Sequence, residues 1–594
     1  MLNIEELKRG DASFYDTILP LLPSLYVSLD LEWEIETKFP ELFSIAYRVP
    51  ETNPVEWRSR SFIYCDDTMH ILEAILQKSR GLVFHNAKAD LDVLECNGHE
   101  IEYLRGKVHD TLLMAHLVDE VRRKGLKVRA EDVGMTLKEL DEVDRGNIEE
   151  YMKYNENDAL ATIKLFYKYG ATLKRDDLLI AYELERMCVY PTMRMEQQGL
   201  YIDRAKTLEL ERLANERIKF IEGELFKANG GPFNPASSKQ LAVFLFKTLG
   251  LAQDKRWITD AGNVSTAANV LEELYEREKK GPHGEILTLL MEYRKLRKIV
   301  STYVGEAILK HVGADGFIHA SFSQVGTVTG RFSCSDPNLQ NQPKDPLFKD
   351  DPDTLIRKQY VAPPGKKMVV IDYSQIELRV MAYLSQDKRM LEVYANDEDL
   401  HEDMAKFAGV ERDFAKTLNF GMAYGLVEKT FAANTGLPLK KVQEMYAKHE
   451  ERFPGLYKMF ANIRQFTRET GYTITMSGRR RRIPEIYSDN FVEKAHAQRQ
   501  AVNTTIQGSA GDLIKLAMIN LYENTDHKEV QMAAQIHDEL LLYIPDVGKD
   551  EEYLEKIQHL FETAMVVKSI RFKAEGKICA TWADKNLKAP KVEV

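Results

Sequence analysis

No stretch of this 594-residue chain approaches the roughly 18–20 consecutive apolar residues needed to cross a bilayer. Cysteine is scarce. The five present (65, 96, 188, 334 and 579) are scattered without a Cys-x-x-Cys pair, which points to a reducing compartment and away from structural zinc. The first 25 residues already carry Glu5, Glu6, Asp11 and Asp16, which argues against a secretory or organellar leader. Internal repeats and low-complexity tracts are absent. So is an excess of positive charge: the net charge of −11, taken alone, argues weakly against a nucleic-acid partner. A binding groove needs only local cations, however, and acids that hold metals count against the total. Local basic runs do occur at Arg479–Arg482, Lys366-Lys367 and Lys440-Lys441, and the plain reading of each is a solvated face.

What is present is ordinary in bulk: 44% hydrophobic and 29% charged residues, in a chain long enough for about three to five domains. Residues 1 to about 172 alternate short apolar runs (Leu25–Trp33, Phe43–Val49, Leu82–His85) with helical patterns (Asp90–Cys96, Thr111–Val118, Asn155–Tyr169), which predicts an α/β domain with a mixed sheet. From 175 to 312 the pattern is helical and highly charged: Asp176–Gln198, Asp203–Asn229 and Leu287–His311 read as long helices. Residues 313–378 read as strand-rich and 386–470 as helical. One long helix, whole or broken, is expected over 494–526, and a strand pair over 528–546 is followed by a helix and a strand. The expected fold class is multidomain, α/β followed by α+β.

Chemistry concentrates in the last 226 residues. Asp372 ends the apolar run Met368–Ile371, and Asp538 falls in a tight connection between Met532–Ile536 and Leu540–Ile544. Two carboxylates at neighbouring strand ends can bridge two metals roughly 3.5–4 Å apart, one activating a hydroxyl and the other neutralising a leaving pyrophosphate. Either Asp alone is equally well explained by turn chemistry. Arg412, Lys416, Phe420 and Tyr424 recur every four residues, forming a slanting stripe about 18 Å long on one helix, the length of a nucleoside triphosphate. Gly421 and Gly425 would allow a base to approach the backbone. An amphipathic helix with core aromatics and solvated cations is the alternative. Ser374-Gln-Ile-Glu377 has the form of a capping box, though Glu377 could instead face an incoming sugar.

A second acidic set lies near the start. Asp30 and Glu32 share one face of a predicted strand, Tyr154 and Asp158 share one face of a predicted helix, and Asp90 follows a strand. Four acids at a sheet edge could hold two metals and hydrolyse a phosphodiester, with the Tyr154 hydroxyl orienting water. Exposed charge on an edge strand is the alternative for Asp30 and Glu32.

Asp-Tyr-Ser-Gln-Ile-Glu-Leu-Arg (372–379), Arg412-x3-Lys416-x3-Phe420-Gly-x2-Tyr424-Gly425 and His537-Asp-Glu539 resemble, in this order, the three sequence motifs of family A DNA polymerases, the bacterial DNA polymerase I type. Thr329-Gly-Arg331, Ser335–Asn341, Gln498–Gly508 and Phe233–Gln240 resemble further segments of that family, and Asp30-x-Glu32, Asn86-x3-Asp90 and Tyr154-x3-Asp158 resemble its 3′–5′ proofreading exonuclease. The resemblance covers nearly the whole chain. It implies a ribonuclease H-like exonuclease domain (1–172) and a right-hand polymerase. The polymerase comprises a helical connection and thumb (173–312), a palm in two parts (313–395 and 494–594) and fingers (396–493).

By the same resemblance Asp372 and Asp538 bind metal with Glu539 in support. Lys416 and Arg412 contact the triphosphate, and Glu377 with Tyr424 excludes a ribose 2′-hydroxyl. Arg331, Asn338, Gln340, Arg499, Asn503, Gln507 and His537 line the primer–template. Phe420, in place of Tyr, implies discrimination against dideoxynucleotides. Asp30, Glu32, Asp90 and Asp158 bind the nuclease metals beside Tyr154.

The implied activity is DNA-directed DNA synthesis with 3′–5′ editing. It would use two Mg²⁺ per site, replaceable by Mn²⁺, and act on primer–template DNA and deoxynucleoside triphosphates. The implied protein is a monomer of a bacterial or phage-infected cytoplasm, with room for a replisome or processivity partner and none for a membrane. Because Met1 begins almost at the exonuclease, a stand-alone large fragment without a 5′ nuclease is expected. The chain departs from the family at Asp30-Leu-Glu-Trp33, where Asp-Thr-Glu-Thr is common, and at Asp92, a second acid near Asp90. Asp110 resembles a supporting acid or, more simply, a helix N-cap. A nuclease whose polymerase half only grips DNA, or a silent scaffold, would be expected to have lost one of these acids or Lys416, and all are present.

Overall fold

The computed structural model describes residues 15–259, 262–423 and 425–586. Near the N-terminus five strands form a mixed sheet: β1 (Tyr26–Trp33), β2 (Pro40–Arg48), β3 (Trp57–Ile63), β4 (Gly81–Phe84) and β5 (Val108–Asp110), in the order β3-β2-β1-β4-β5. β1 runs antiparallel to β2 and parallel to β4. Helices α1 (Asp66–Lys78) and α2 (Ala87–Cys96) lead into and out of β4, and α3 (Thr111–Val118) follows β5. The short α4 (Leu126–Ala130) precedes α5 (Ile148–Arg175), which lies across β1, β2 and β3. β1 is central, so Val27, Leu29 and Leu31 are buried while the alternate residues Asp30 and Glu32 point to the other face. The register shifts between Glu32 and Trp33, a bulge of the kind that re-aims a side chain beside a site.

The expected helix over Asp176–Gln198 is two helices, α6 (Leu179–Met187) and α7 (Val189–Gln198), meeting at Cys188. Two long antiparallel helices, α8 (Arg204–Asn229, capped by Asp203) and α9 (Gly284–Thr302), then build an arm with its own apolar core of Leu210, Ile218, Leu225, Leu287, Leu290 and their neighbours. The segment expected to be strand-rich, 313–378, holds mostly two- and three-residue strands until β6 (Lys366–Tyr373).

The C-terminal sheet is antiparallel. β7 (Gln531–Ile536) and β8 (Glu539–Pro545) form a hairpin, and β6 lies between β8 and β9 (Ala574–Cys579). Val369, Val370 and Ile371 are fully buried and anchor the centre. Behind it run α10 (Ile376–Ser385), the 34-residue α14 (Phe491–Asn524), which is unbroken, and α15 (Asp550–Thr563). Between β6 and α14 stand α11 (Leu400–Ala408), α12 (Arg412–Ala423) and α13 (Leu439–Arg452), with other helices beside them.

The Arg479–Arg482 run is not a solvated face. Arg479 is buried and donates to Glu185 of α6, which also accepts from Lys515 of α14 and, at 2.6 Å, from Gln324 Nε2. Arg480 donates to the Asp176 carbonyl, Arg481 to Thr504 Oγ1 (2.6 Å), and Arg482 pairs with the buried Glu120 (2.5 Å). These partners lie some 20 to 360 positions away in sequence, beyond the reach of local pattern reading. Burial alone would raise the Glu185 carboxyl, but Lys515 and Arg479 together hold it down at about 2. The run therefore staples the N-terminal α/β unit to the C-terminal half.

Candidate active sites

β6 carries Asp372 to its C-terminal end, where the ladder sets it opposite Glu539. His537 and Asp538 form the two-residue turn between β7 and β8, with His537 at φ +61°, so Asp538 is presented beside the same sheet end. Burial pushes the Asp372 carboxyl up to about 6, with Asp538 and Glu539 adding to the rise and Lys585 opposing it. Burial also raises Asp538. Sequence reading missed Lys585: its Nζ lies 2.7 Å from both Asp372 Oδ2 and Glu539 Oε2. Glu539 also accepts from Trp582 Nε1 at 2.5 Å. Asp372, Asp538 and Glu539, faced by the Lys585 ammonium and, 3.9 Å from Glu539, by the Arg357 guanidinium, offer hard oxygen donors of the kind that suits divalent cations.

On α12, Ala415, Leu418 and Asn419 face the core while Arg412 and Lys416 stay exposed. The helix is fixed in rotation by a buried relay. Asn419 hydrogen-bonds His401 Nδ1 (2.9 Å) and His449 Nε2 (3.1 Å), and His449 Nδ1 meets Tyr457 Oη (3.2 Å). Burial lowers His401 to about 4 and His449 to about 3, so both rings are neutral members of this relay. The His401 ring lies 5.5 Å from that of Phe420. Arg412 pairs with Asp399 (2.6 Å). Tyr424 lies outside the described residues. At Gly425 (φ +67°) a Cβ would come within 3.0 Å of the Arg499 side chain, which sets Arg499 at the end of α12.

The capping-box reading of Glu377 fails. α10 starts at Gln375 in the left-handed region without a side-chain cap, and Glu377 instead accepts from Arg331 Nη2 at 2.6 Å. Arg331 Nε also donates to the Gln507 carbonyl (3.2 Å), so Arg331, Glu377 and Gln507 converge. Gln340 reaches Gln535 beside the His537 turn (3.0 Å), and Asn338 caps the short turn before it. Arg499, Asn503 and Gln507 are spaced by four on α14 and share one face. Buried Asn503 Oδ1 has no partner among the described residues.

At the first sheet, carboxylate oxygens of Asp30, Glu32 and Asp158 all lie within 4.8 Å of one another. Burial raises Asp30 well above its usual value, with Asp158, Asp90 and Glu32 adding to it, and lifts Glu32 to about 7. Asp90 stands beside this trio. Burial raises it as well, and its Oδ1 accepts from the Leu31 amide at 3.1 Å. Tyr154 and Asp158 come from α5, four residues apart as expected. Clustered carboxylates that hold protons reluctantly given up suit a divalent cation here too.

Asn155, which sequence reading missed, donates to Asp30 Oδ2 at 2.6 Å. The three- and four-residue spacing of Tyr151, Tyr154, Asn155 and Asp158 on one buried face was the available signal. Asp110 is the N-cap of α3 (Leu112 N, 2.8 Å) and also accepts from the amides of Asn86 and Ala87, so it braces the start of α2. Asp92 points away to Lys38 (2.5 Å), and Trp33 packs half-buried against the core.

Comparison with known proteins agrees with this division. The profile of DNA polymerase family A matches residues 204–584, and that of a 3′–5′ exonuclease matches residues 10–174. The chain is 29% identical over 594 residues to DNA polymerase I of Borreliella burgdorferi, covering 96% of this chain and 63% of that protein. It is 33% identical over 506 residues to DNA polymerase I of Treponema pallidum, covering 81% and 49%. It thus spans about half to two thirds of the length of these relatives. A solved structure titled as the POL domain of Pol1 from M. smegmatis in complex with DNA primer-template and dNTP superposes with a TM-score of 0.81. Sequence identity there is 26%, with 94% of this chain and 96% of that chain covered.

Proposed function

The chain belongs to DNA polymerase family A, with an exonuclease domain ahead of the polymerase domain, and from that premise we propose that it extends a DNA primer on a template and edits the primer's 3′ end. The observation that carries the reading is the pair of separate carboxylate clusters: Asp372, Asp538 and Glu539 at one sheet end, and Asp30, Glu32 and Asp158 with Asp90 beside them at another. In this reading residues 313–395 and 494–594 form the palm, 396–493 the fingers, 173–312 the connection and thumb, and 1–172 the nuclease.

Both domain types depend on divalent metal in general, and Mg²⁺ is the ion proposed here, with Mn²⁺ able to replace it. When bound, the ions would acidify the attacking hydroxyl and neutralise the leaving group. Asp372 and Asp538 would hold them in the palm. Glu539, pinned by Trp582 and Lys585, keeps the Asp538 turn in place. Arg412 and Lys416 bind the triphosphate from the exposed face of α12, and Lys416 delivers a proton to the departing pyrophosphate. Arg412 must leave Asp399 to do so, at modest cost because that pair is partly exposed.

Phe420 packs against the sugar, and Glu377, held by Arg331, excludes a ribose 2′-hydroxyl together with Tyr424. Arg499, Asn503, Gln507, Gln340, Asn338 and His537 contact the duplex, mostly at its backbone and minor groove, so binding is nearly independent of sequence and weakens with salt. In the nuclease site Asp30, Glu32, Asp90 and Asp158 serve the metals and Tyr154 orients water. No helix of the described residues is long and apolar enough to cross a membrane, and bacterial relatives support a cytoplasmic place of work.

The test is a labelled primer–template incubated with Mg²⁺, with and without the four deoxynucleotides. Extension with them and 3′ shortening without them is the expected result. Shortening alone would reduce the polymerase half to a DNA grip, and extension alone would leave the nuclease site silent.

A further inference from the structure

Lys127, on the five-residue α4, reaches into the nuclease site, where neither the motif residues nor the matched profile descriptions assign it a part. Its Nζ donates to Tyr154 Oη at 3.0 Å, pairs with Asp158 Oδ2, and stands 4.2 Å over the Tyr154 ring. The ammonium is a donor only, so Tyr154 accepts in this contact and its single hydroxyl proton is left for the Asp158 carboxylate, the third member of the triangle.

The segment bearing Lys127 is held on both flanks. Arg122 bonds Asp132 (2.6 Å) and Glu131 (2.7 Å), buried Arg129 donates to the Asp119 and Arg122 carbonyls, and Glu120 is tied to Arg482 of the C-terminal half. A lysine on so constrained a loop, set against two residues four apart on α5, is placed and not merely attracted.

We propose that Lys127 is a positioning residue of the nuclease: it holds the Asp158 carboxylate until divalent metal claims it, and it keeps the Tyr154 hydroxyl oxygen fixed so that, once Asp158 turns to the metal, the hydroxyl proton is presented to the attacking water. The inference rests on the nuclease reading above. Its occupancy of Asp158 makes Lys127 a competitor of the metal, and its bond to Tyr154 makes it a contributor to the rate. These two effects have opposite signs when it is removed.

The experiment uses the full chain carrying Lys127→Met, Lys127→Arg, Tyr154→Phe, or Lys127→Met with Tyr154→Phe, with primer extension as the control for folding. Shortening of a labelled single strand should slow about 10- to 100-fold in Lys127→Met, in kcat more than in KM. Lys127→Arg should recover most of the rate, and Lys127→Met should add little to Tyr154→Phe. Mn²⁺ binding, followed by electron paramagnetic resonance in a chain with Asp372→Asn and Asp538→Asn, should tighten on Lys127→Met. Full-rate shortening by Lys127→Met, a loss undiminished in the Tyr154→Phe background, or Mn²⁺ binding that stays the same or weakens would each overturn the proposal. A wild-type chain that shortens no strand would sink the nuclease reading, and the Mn²⁺ titration would still decide the place of Lys127.

Discussion

Replacing Glu185 by glutamine should loosen the seat of α6 against α14 and the arginine run. The carboxylate sits fully buried between Arg479 and Lys515, and the variant leaves buried Lys515 without its anion and Arg479 with Asp512 alone, at 3.6 Å. Two routes to the magnitude agree. The carboxyl falls from an ordinary 4.5 to about 2, a difference worth about 3 kcal/mol at 1.36 kcal/mol per unit. Removing one partner of a buried ion pair costs about 3–5 kcal/mol.

The pH dependence follows from the sign of the shift. Folding lowers this pKa, so the unfolded chain binds the proton more readily. The contribution is complete above 4.5 and fades as pH falls toward 2. Thermal unfolding at neutral pH should drop by roughly 6–12 °C for the affected unit. The gap between wild type and Glu185→Gln should narrow by roughly 1.4 kcal/mol between pH 5.5 and 3.5. Glu183→Gln on the same helix, whose half-exposed carboxylate pairs with Arg186, is the control and should change stability by under about 1 kcal/mol. A Glu185→Gln transition within a degree of wild type, or a gap that stays constant with pH, would refute the reasoning.

Three further outcomes are expected. Asp538→Ala should abolish primer extension and leave 3′ shortening intact, and Asp30→Ala should do the reverse; loss of both activities from either change would break the two-site reading. Phe420→Tyr should relax discrimination against dideoxynucleotides, measured as the ratio of dideoxy to deoxy incorporation, and an unchanged ratio would count against the placement of Phe420 at the sugar. Because burial lifts Glu32 to about 7, its carboxylate form grows as pH rises through that value. Mn²⁺ affinity at the nuclease site should therefore increase from pH 6 to 7 and level off above 8. Calorimetry in buffers of different ionisation enthalpy should show proton release on binding at pH 6, and its absence would mean that Glu32 is already ionised.

Legibility in the sequence followed the range of the interactions. Asp30 with Glu32 and Tyr154 with Asp158 could be placed because strand and helix periods fix such neighbours without knowledge of the rest. The β7–β8 hairpin around Asp538 was legible for the same reason. The Ser374–Glu377 capping box was a sound local pattern that lost to a tertiary partner, Arg331, 46 positions away. The arginine run was read as solvated because nothing near it announces Glu185 or Glu120. Lys585 and Lys127 escaped notice because a lysine carries no periodic signature; only the folded chain shows whose carboxylates they meet. The break at Cys188 lies inside a continuous helical pattern, and α6 leaves it toward Lys515 and Arg479 while α7 packs on β7.

The arm built from α8 and α9 has a core that shares no side chain with the core running through the two sheets. Close-packed interiors resist deformation because any displacement opens voids within them. Two interiors that do not interlock can be displaced as rigid bodies with neither losing its packing. The stiffness of the joint is then set by its seams: Leu347 and Ile356 of the 313–395 segment pack into the arm's core, Gln359 Nε2 donates to the Tyr303 carbonyl at 2.9 Å, and the arm rejoins the chain at Gly305, whose amide bonds Thr207 Oγ1 at 2.8 Å. Thermal agitation should find its largest excursion in the swing of that arm, with both carboxylate clusters riding on the rigid side of the joint.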